Sequence, residues 1–124
     1  MNAEHHRDTS LYPLSSPELS RRRQELAPET EQAFRAFSKQ VFSDGALNTK
    51  TKQIIAVAVA HVTQCPYCIQ GHTKAALRAG ASPEELMEAI WVAAEMRAGG
   101  AYAHANIALA AMQAAQAPVP GESK

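Results

Sequence analysis

The sequence carries no excess of charge of either sign: 12 lysines and arginines are balanced by 12 aspartates and glutamates. That absence excludes a general electrostatic pull toward nucleic acid or an anionic membrane. The basic run Arg21-Arg22-Arg23 is too short to change this and reads as a solvated helix face. Long apolar runs are also missing. The longest, Ile54 to Ala60, is far too short to span a bilayer. The opening MNAEHHRDTSLYPL has no apolar signal-peptide segment, so the expectation is a soluble cytoplasmic chain with no membrane contact. Cysteine is scarce. The two present, Cys65 and Cys68, sit three apart, and in a reducing compartment such a pair points to catalysis or metal binding rather than a structural staple. There is no internal repeat.

What is present is an ordinary globular balance, 46% hydrophobic and 19% charged over 124 residues. One domain of this size buries a core without metals or disulfides. The expected organisation is a loose N-terminal arm over residues 1–14, a helical domain over 15–116 and a frayed tail over 117–124. Helix punctuation fills the middle. Ser16-Pro17-Glu18 predicts a cap, a proline at the first helical position and an early acid. Pro28 opens a second helix, with Ala33, Phe34, Phe37, Val41 and Phe42 at helical spacing, closed by Ser43-Asp44-Gly45. Asn48 or Thr49 caps a third helix reaching about Gln64. Cys65-Pro66 starts a fourth, ended by Gly80. Ser82-Pro83-Glu84-Glu85 is a capping box opening a fifth helix to about Ala98. Gly99-Gly100 is expected to break or bend the chain before a sixth, alanine-rich helix over about 101–116. A buried strand at Ile54–Ala60 is the rival reading, but the chain offers it no partner strand. The expected fold is therefore all-α, a bundle of about six helices.

The third helix is apolar nearly all round and is expected to be central. The fifth carries two stripes, Leu86-Ala89-Ile90-Ala93 and Met87-Trp91-Ala94-Ala98. One fits the core. The other fits a second subunit or, alternatively, a neighbouring helix of the same domain.

The chemistry gathers in Cys65-Pro66-Tyr67-Cys68-Ile69-Gln70-Gly71-His72. Proline at the second position makes Cys65 the cap residue and places Cys68 in the first turn, where free N–H groups and the positive dipole end favour a thiolate. Cys65 and Cys68 are i, i+3 neighbours within disulfide reach, and His72 lies one turn beyond Cys68 on the same face, able to exchange a proton at neutral pH. Zinc is the rival reading, with Cys65, Cys68 and His72 as ligands and His61 or His104 as a fourth, in a metal-binding or redox-sensing interaction protein. A thioredoxin-like domain is disfavoured because its CxxC follows a strand that is absent here.

The stretch KTKQIIAVAVAHVTQCPYCIQGHTKAALRAGASPEELMEAIWVAAEMRAGGAYAHA, residues 50–105, resembles the carboxymuconolactone decarboxylase-like superfamily, and most of all its alkyl hydroperoxidase D-like branch. The branch signature is an apolar helix, CxxCxxxH, a helix, a Gly-Ala-Ser-type turn and another helix, and the likeness extends over roughly residues 34 to 112. The resemblance implies an all-helical bundle assembled as a homotrimer or homohexamer. It implies a thiol-dependent peroxidase or disulfide-exchange protein, without cofactor, that takes a peroxide or small oxidant and a lipoyl- or thioredoxin-type reductant. It makes Cys68 the attacking thiol, Cys65 the resolving thiol and His72 part of a proton relay. Position alone leaves that order open, because Cys68 shares a face with His72 while Cys65 has the better access to free N–H groups. Two departures stand out. Gln53 occupies the place of the family's relay glutamate, and Tyr67 stands where hydroperoxidase D has a histidine. An amide cannot act as a base near neutral pH. Decarboxylation is not expected, because the founding decarboxylases lack the cysteine pair.

His61, one turn before Cys65, is a candidate to replace the missing acid. His104 and Tyr67 are further candidates for the relay or the site lining. Glu95 is expected to pair with Arg97 or to cap a subunit contact. His5 and His6 lie in the arm and are not read as a metal site. Trp91, Met87, Met96 and Met112 read as core or interface.

Overall fold

A computed structural model describes residues 11–121; His5 and His6 lie outside them. The described chain is all-helical: α1 Pro17–Leu26, α2 Pro28–Phe42, α3 Thr49–Thr63, α4 Pro66–Arg78 and α5 Pro83–Gln116. None of these helices is long and apolar enough to cross a membrane. The strand alternative at Ile54–Ala60 is excluded, since the segment lies inside α3. The contacts group the chain into two compact units, meeting in sequence between Ser43 and Asp44.

In the first unit, Ser16 caps α1 by accepting the Leu19 N–H at 3.2 Å, and Pro17 occupies the first helical position. Arg22 and Arg23 make exposed ion pairs with Glu25 and Glu31 at 3.7 and 3.6 Å, so the basic run is a solvated face as expected. The α2 stripe is not buried. The Phe34 and Phe37 rings meet at 6.5 Å, yet both side chains remain mostly exposed.

The second unit is built on α3, which packs against both α4 and α5. Asn48 caps it through the Thr51 N–H at 2.8 Å, and Asp44 adds a second cap, accepting from the Thr49 N–H at 2.7 Å and the Thr49 hydroxyl at 2.9 Å. One face of α3, Gln53-Val57-Ala60, is buried. Val57 joins Ala76, Ala81 and Leu86 in a core flanked by Ile54 and Ile90. α3 is central to this unit as expected, although its other apolar side chains, Ile55, Val59 and Val62, are exposed. Alanines dominate the contact, and small side chains let the helix backbones approach closely.

The connection from α4 to α5 requires glycine. Gly80 has φ +99°, a region that L side chains rarely adopt, and Ala81 N–H closes back on the Ala76 carbonyl at 3.0 Å. The capping box then forms as read from the sequence. Glu85 N–H donates to Ser82 Oγ and Ser82 N–H to Glu85 Oε1, each at 3.0 Å. The expected break at Gly99-Gly100 does not occur. The fifth and sixth helices are one helix of 34 residues. Glycine costs about 1 kcal/mol in a helix interior but keeps its N–H, so it weakens the ladder without cutting it. The two stripes of α5 separate as expected. Leu86 and Ala93 are buried, whereas Met87, Trp91, Ala94 and Ala98 are exposed.

The caps make stability pH-dependent. Hydrogen bonding from the Thr49 amide, then from its hydroxyl, holds Asp44 below the ordinary carboxylate range. The Ser82 amide and then Lys50 do the same for Glu85. Each group has a lower pKa folded than unfolded. Its stabilisation is therefore present above the unfolded pKa and lost as pH falls through the folded one. Urea midpoints should fall as the pH drops below about 4, and Asp44→Asn should flatten that fall. An acid profile identical in variant and parent would rule Asp44 out.

Candidate redox site

The site begins at the end of α3. Gln64 adopts a left-handed conformation, φ 58° and ψ 44°, uncommon for a residue with a side chain. Its N–H and that of Cys65 both return to the Ala60 carbonyl, which turns the chain sharply into α4. Arg97 closes the same end. Its Nη1 donates to the Val62 carbonyl at 2.8 Å, satisfying an acceptor that the helix terminus leaves open. The expected Glu95–Arg97 pair is not formed, because residues two apart point to different sides of a helix. Arg97 is the contributor that sequence reasoning missed. It lies 35 residues from its acceptor, and nothing local signals the contact.

Cys65 is the N-cap of α4, with Pro66 in the first turn. Its Sγ accepts the Cys68 N–H at 3.3 Å. The cap position usually holds Ser, Thr, Asp or Asn, whose oxygen accepts this same orphan donor. Here a sulfur does so. Both thiols are free and partly buried. The Cys68 thiol donates to Cys65 Sγ, and this, followed by the Cys68 backbone N–H, draws the Cys65 pKa down. The same bond, followed by burial and by the nearness of the Cys65 charge, pushes Cys68 up. The pair is thus polarised, with negative charge favoured on Cys65 and the shared proton on Cys68.

His72 stands one turn beyond Cys68 on α4, half-buried, and its Nδ1 lies 2.8 Å from Gln53 Oε1 on α3. An amide oxygen only accepts, so the ring donates from Nδ1, and in the neutral ring Nε2 is then the nitrogen with the lone pair. Gln53 is the buried polar residue among the described ones, held on the same face as Val57. The structure therefore brings Gln53 to His72 and Cys65 to Cys68. The Tyr67 backbone N–H is among the groups that lower the Cys65 pKa, while the two histidine candidates turn to their own helices. His61 Nδ1 donates within α3 to the Val57 carbonyl at 2.7 Å. His104 Nδ1 donates within α5 to the Gly100 carbonyl at 2.6 Å. Tyr67 is largely exposed in the first turn of α4. Among the described residues no three His, Cys, Asp or Glu side chains converge as a metal site, which removes the geometric support for Cys65, Cys68 and His72 as zinc ligands.

Comparison with known proteins agrees with the fold. The chain is 71% identical over 82 residues to "Uncharacterized protein 4 in cox locus" of Paracoccus denitrificans, a match covering 66% of this chain and 74% of that one. It is 38% identical to a structure from Methanobacterium thermoautotrophicum, with a TM-score of 0.64 over 67% of this chain and 93% of the other. It is also 38% identical to the apo structure of a carboxymuconolactone decarboxylase family protein from Legionella pneumophila, with a TM-score of 0.59 over 64% and 70% of the two chains. Residues 28–117, α2 through the end of α5, match the family as a whole, and the CxxCxxxH motif is consistent with its alkyl hydroperoxidase D-like branch. The chain belongs to the carboxymuconolactone decarboxylase family.

Proposed function

We propose that this protein is a thiol-dependent oxidoreductase that cycles Cys65 and Cys68 between dithiol and disulfide. The observation that carries the reading is two free thiols at the N-terminus of α4, one of them, Cys65 Sγ, accepting the Cys68 N–H at 3.3 Å. A single polarised pair supplies a reactive thiolate and, one helical turn away, the thiol that closes the disulfide. The oxidant is a peroxide or a disulfide. The reductant that reopens the bond is a dithiol of lipoyl or thioredoxin type. His72, with the neutral ring's lone pair on Nε2, takes or returns the proton that the thiols exchange. Family resemblance gives Cys68 the attack and Cys65 the closing step. The apolar stripe Met87-Trp91-Ala94-Ala98, exposed on α5, fits a homotrimer or homohexamer, since a monomer rarely leaves such a patch uncovered.

Thiol titration tests the reading directly. Treatment with a slight excess of oxidant should remove both thiols of each chain and yield a Cys65–Cys68 disulfide, in metal-free protein. Oxidation that stops at one thiol, or stoichiometric zinc in the purified protein, would reject it. The role of Gln53 is read from the His72 ring. Nitrogen chemical shifts should place the neutral proton on Nδ1. Gln53→Glu, which sets a carboxylate opposite that N–H, should stabilise the imidazolium and move the ring's titration to higher pH. An Nε2–H tautomer in the parent, or an unmoved titration in the variant, would dismiss Gln53 as the residue that orients the ring. Light scattering at micromolar concentration should return an oligomer mass, and a monomer would count against the assembly.

A further inference from the structure

The geometry points to α5 as a two-fold docking surface, whose outer face pairs antiparallel with α5 of a second copy of this chain. The inference rests on the assembly proposed above and decides which assembly it is.

The surface exists because α5 is unbroken. In the sequence, the stripe Met87-Trp91-Ala94-Ala98 stops at Gly99-Gly100. In one continuous helix it runs on through Ala101, Ala105, Ala108, Met112 and Ala115. The steps alternate between four and three from end to end, the heptad spacing of helices that wind around one another. Each of these positions is exposed, none carries a charge, and Trp91 is 67% exposed. Tyr102 and Leu109, also exposed, lie beside the line and widen it. Beyond Arg97 the helix holds no Asp, Glu, Lys or Arg as far as Gln116. A helical arm of this kind, with two glycines at its root and no ion pairs along it, is marginal in water by itself. Residues 101–116 are exposed throughout, and none of the described residues covers them. The arm therefore calls for an apolar neighbour.

That neighbour is a second copy running the other way. Side-chain size along the line is symmetric about Ala101. Antiparallel pairing sets Trp91 against Met112 of the second copy, Ala94 against Ala108, Ala98 against Ala105, and Ala101 against its own counterpart. Bulky groups then meet at both ends, with alanines between them where the backbones approach. Parallel pairing is in register for any sequence and gives no reason for this symmetry. Charge selects the same direction. The first half of α5 carries Glu84, Glu85, Glu88 and Glu95 against Arg97 alone, and the second half carries none. Antiparallel pairing lays each acidic half along an uncharged one and opposes the two helix dipoles, whereas parallel pairing brings the acidic halves together. The area is sufficient. From Met87 to Ala115 the line is about 42 Å long, and half the circumference of a helix about 12 Å across gives roughly 800 Å² per copy. A stable specific interface buries about that much on each partner.

A surface that meets itself about a two-fold axis joins chains in pairs. It builds a dimer, or a hexamer of three such dimers, and excludes a homotrimer as the complete particle.

The chain's single tryptophan lies on the line, so the parent protein reports on the contact without substitution. At micromolar concentration Trp91 should emit at short wavelength and resist acrylamide quenching, and light scattering should return an even number of chains. Ala101→Glu sets two carboxylates face to face on the axis. It should lower the mass about twofold, red-shift the Trp91 emission and open it to quenching, and an equal mixture with Ala101→Lys should restore all three. Crosslinking reads the direction. Benzoylphenylalanine in place of Trp91 keeps an aromatic ring at that position. In a mixture of isotopically light and heavy chains, irradiation should join position 91 of one to the Met112 peptide of the other. Crosslinks between the two copies of residues 87–95 would make the pairing parallel and overturn the proposal. Crosslinks confined to one chain, an odd number of chains, or a freely quenched Trp91 in the assembled parent would overturn it as well. A monomeric parent would remove the assembly itself. Neither cysteine lies on α5, so the thiol chemistry and this contact stand or fall separately.

Discussion

The second unit depends on one narrow face of α3, the line Gln53-Val57-Ala60 that α4 and α5 cover. Spacings of four and three residues keep these side chains on one side of a helix, and only small or compact groups fit between backbones packed this closely. Val57 is fully buried, and Ala76 of α4 and Leu86 of α5 meet it. A larger residue at Ala60 or Ala76 would push the helices apart and widen the gap that Gln53 bridges to His72. Packing and chemistry are thus the same constraint: the face that forms the core also presents the amide that fixes the imidazole.

The thiol pair follows from how α3 ends. A helix that simply frayed would leave Cys65 in a loop with no defined donors. The left-handed residue Gln64, the double return to the Ala60 carbonyl and the Arg97 guanidinium on the Val62 carbonyl give the turn one conformation. Pro66 then starts α4 at once, since its fixed φ suits the first helical position and it has no N–H to leave unpaired. A cysteine inserted between those two signals can only be a cap. Its electrostatics are set by backbone donors, which neither titrate nor move, and by the second thiol, which does. Such a pair is asymmetric before any substrate arrives.

The departures from the wider family act together. Gln53 makes the hydrogen bond to the ring with a neutral amide, where the family resemblance places a glutamate. Tyr67 lies exposed beside the cysteines, and His61 and His104 are each turned back onto a carbonyl of their own helix. The two histidines are thus held away from the pair, whereas the Tyr67 backbone N–H is among the groups that draw the Cys65 pKa down.

The sequence by itself determined what depends on neighbours a few residues apart. The caps at Ser16, Asn48, Cys65 and Ser82, the glycine at position 80 and the alignment of Cys65, Cys68 and His72 are local events, decided by φ preferences and by donors within one turn. So is the all-helical class. The likeness to the family added the pairing of position 53 with the site. Tertiary structure decided the rest. Whether Gly99-Gly100 breaks a helix is a balance of about 1 kcal/mol per glycine, which local signals do not resolve. Which side of an apolar α3 is buried depends on where α4 and α5 lie. The contact between Arg97 and Val62 spans 35 residues, and the one between His72 and Gln53 spans 19. Neither leaves a trace in spacing, because the chain between them is folded by interactions that the two ends do not share.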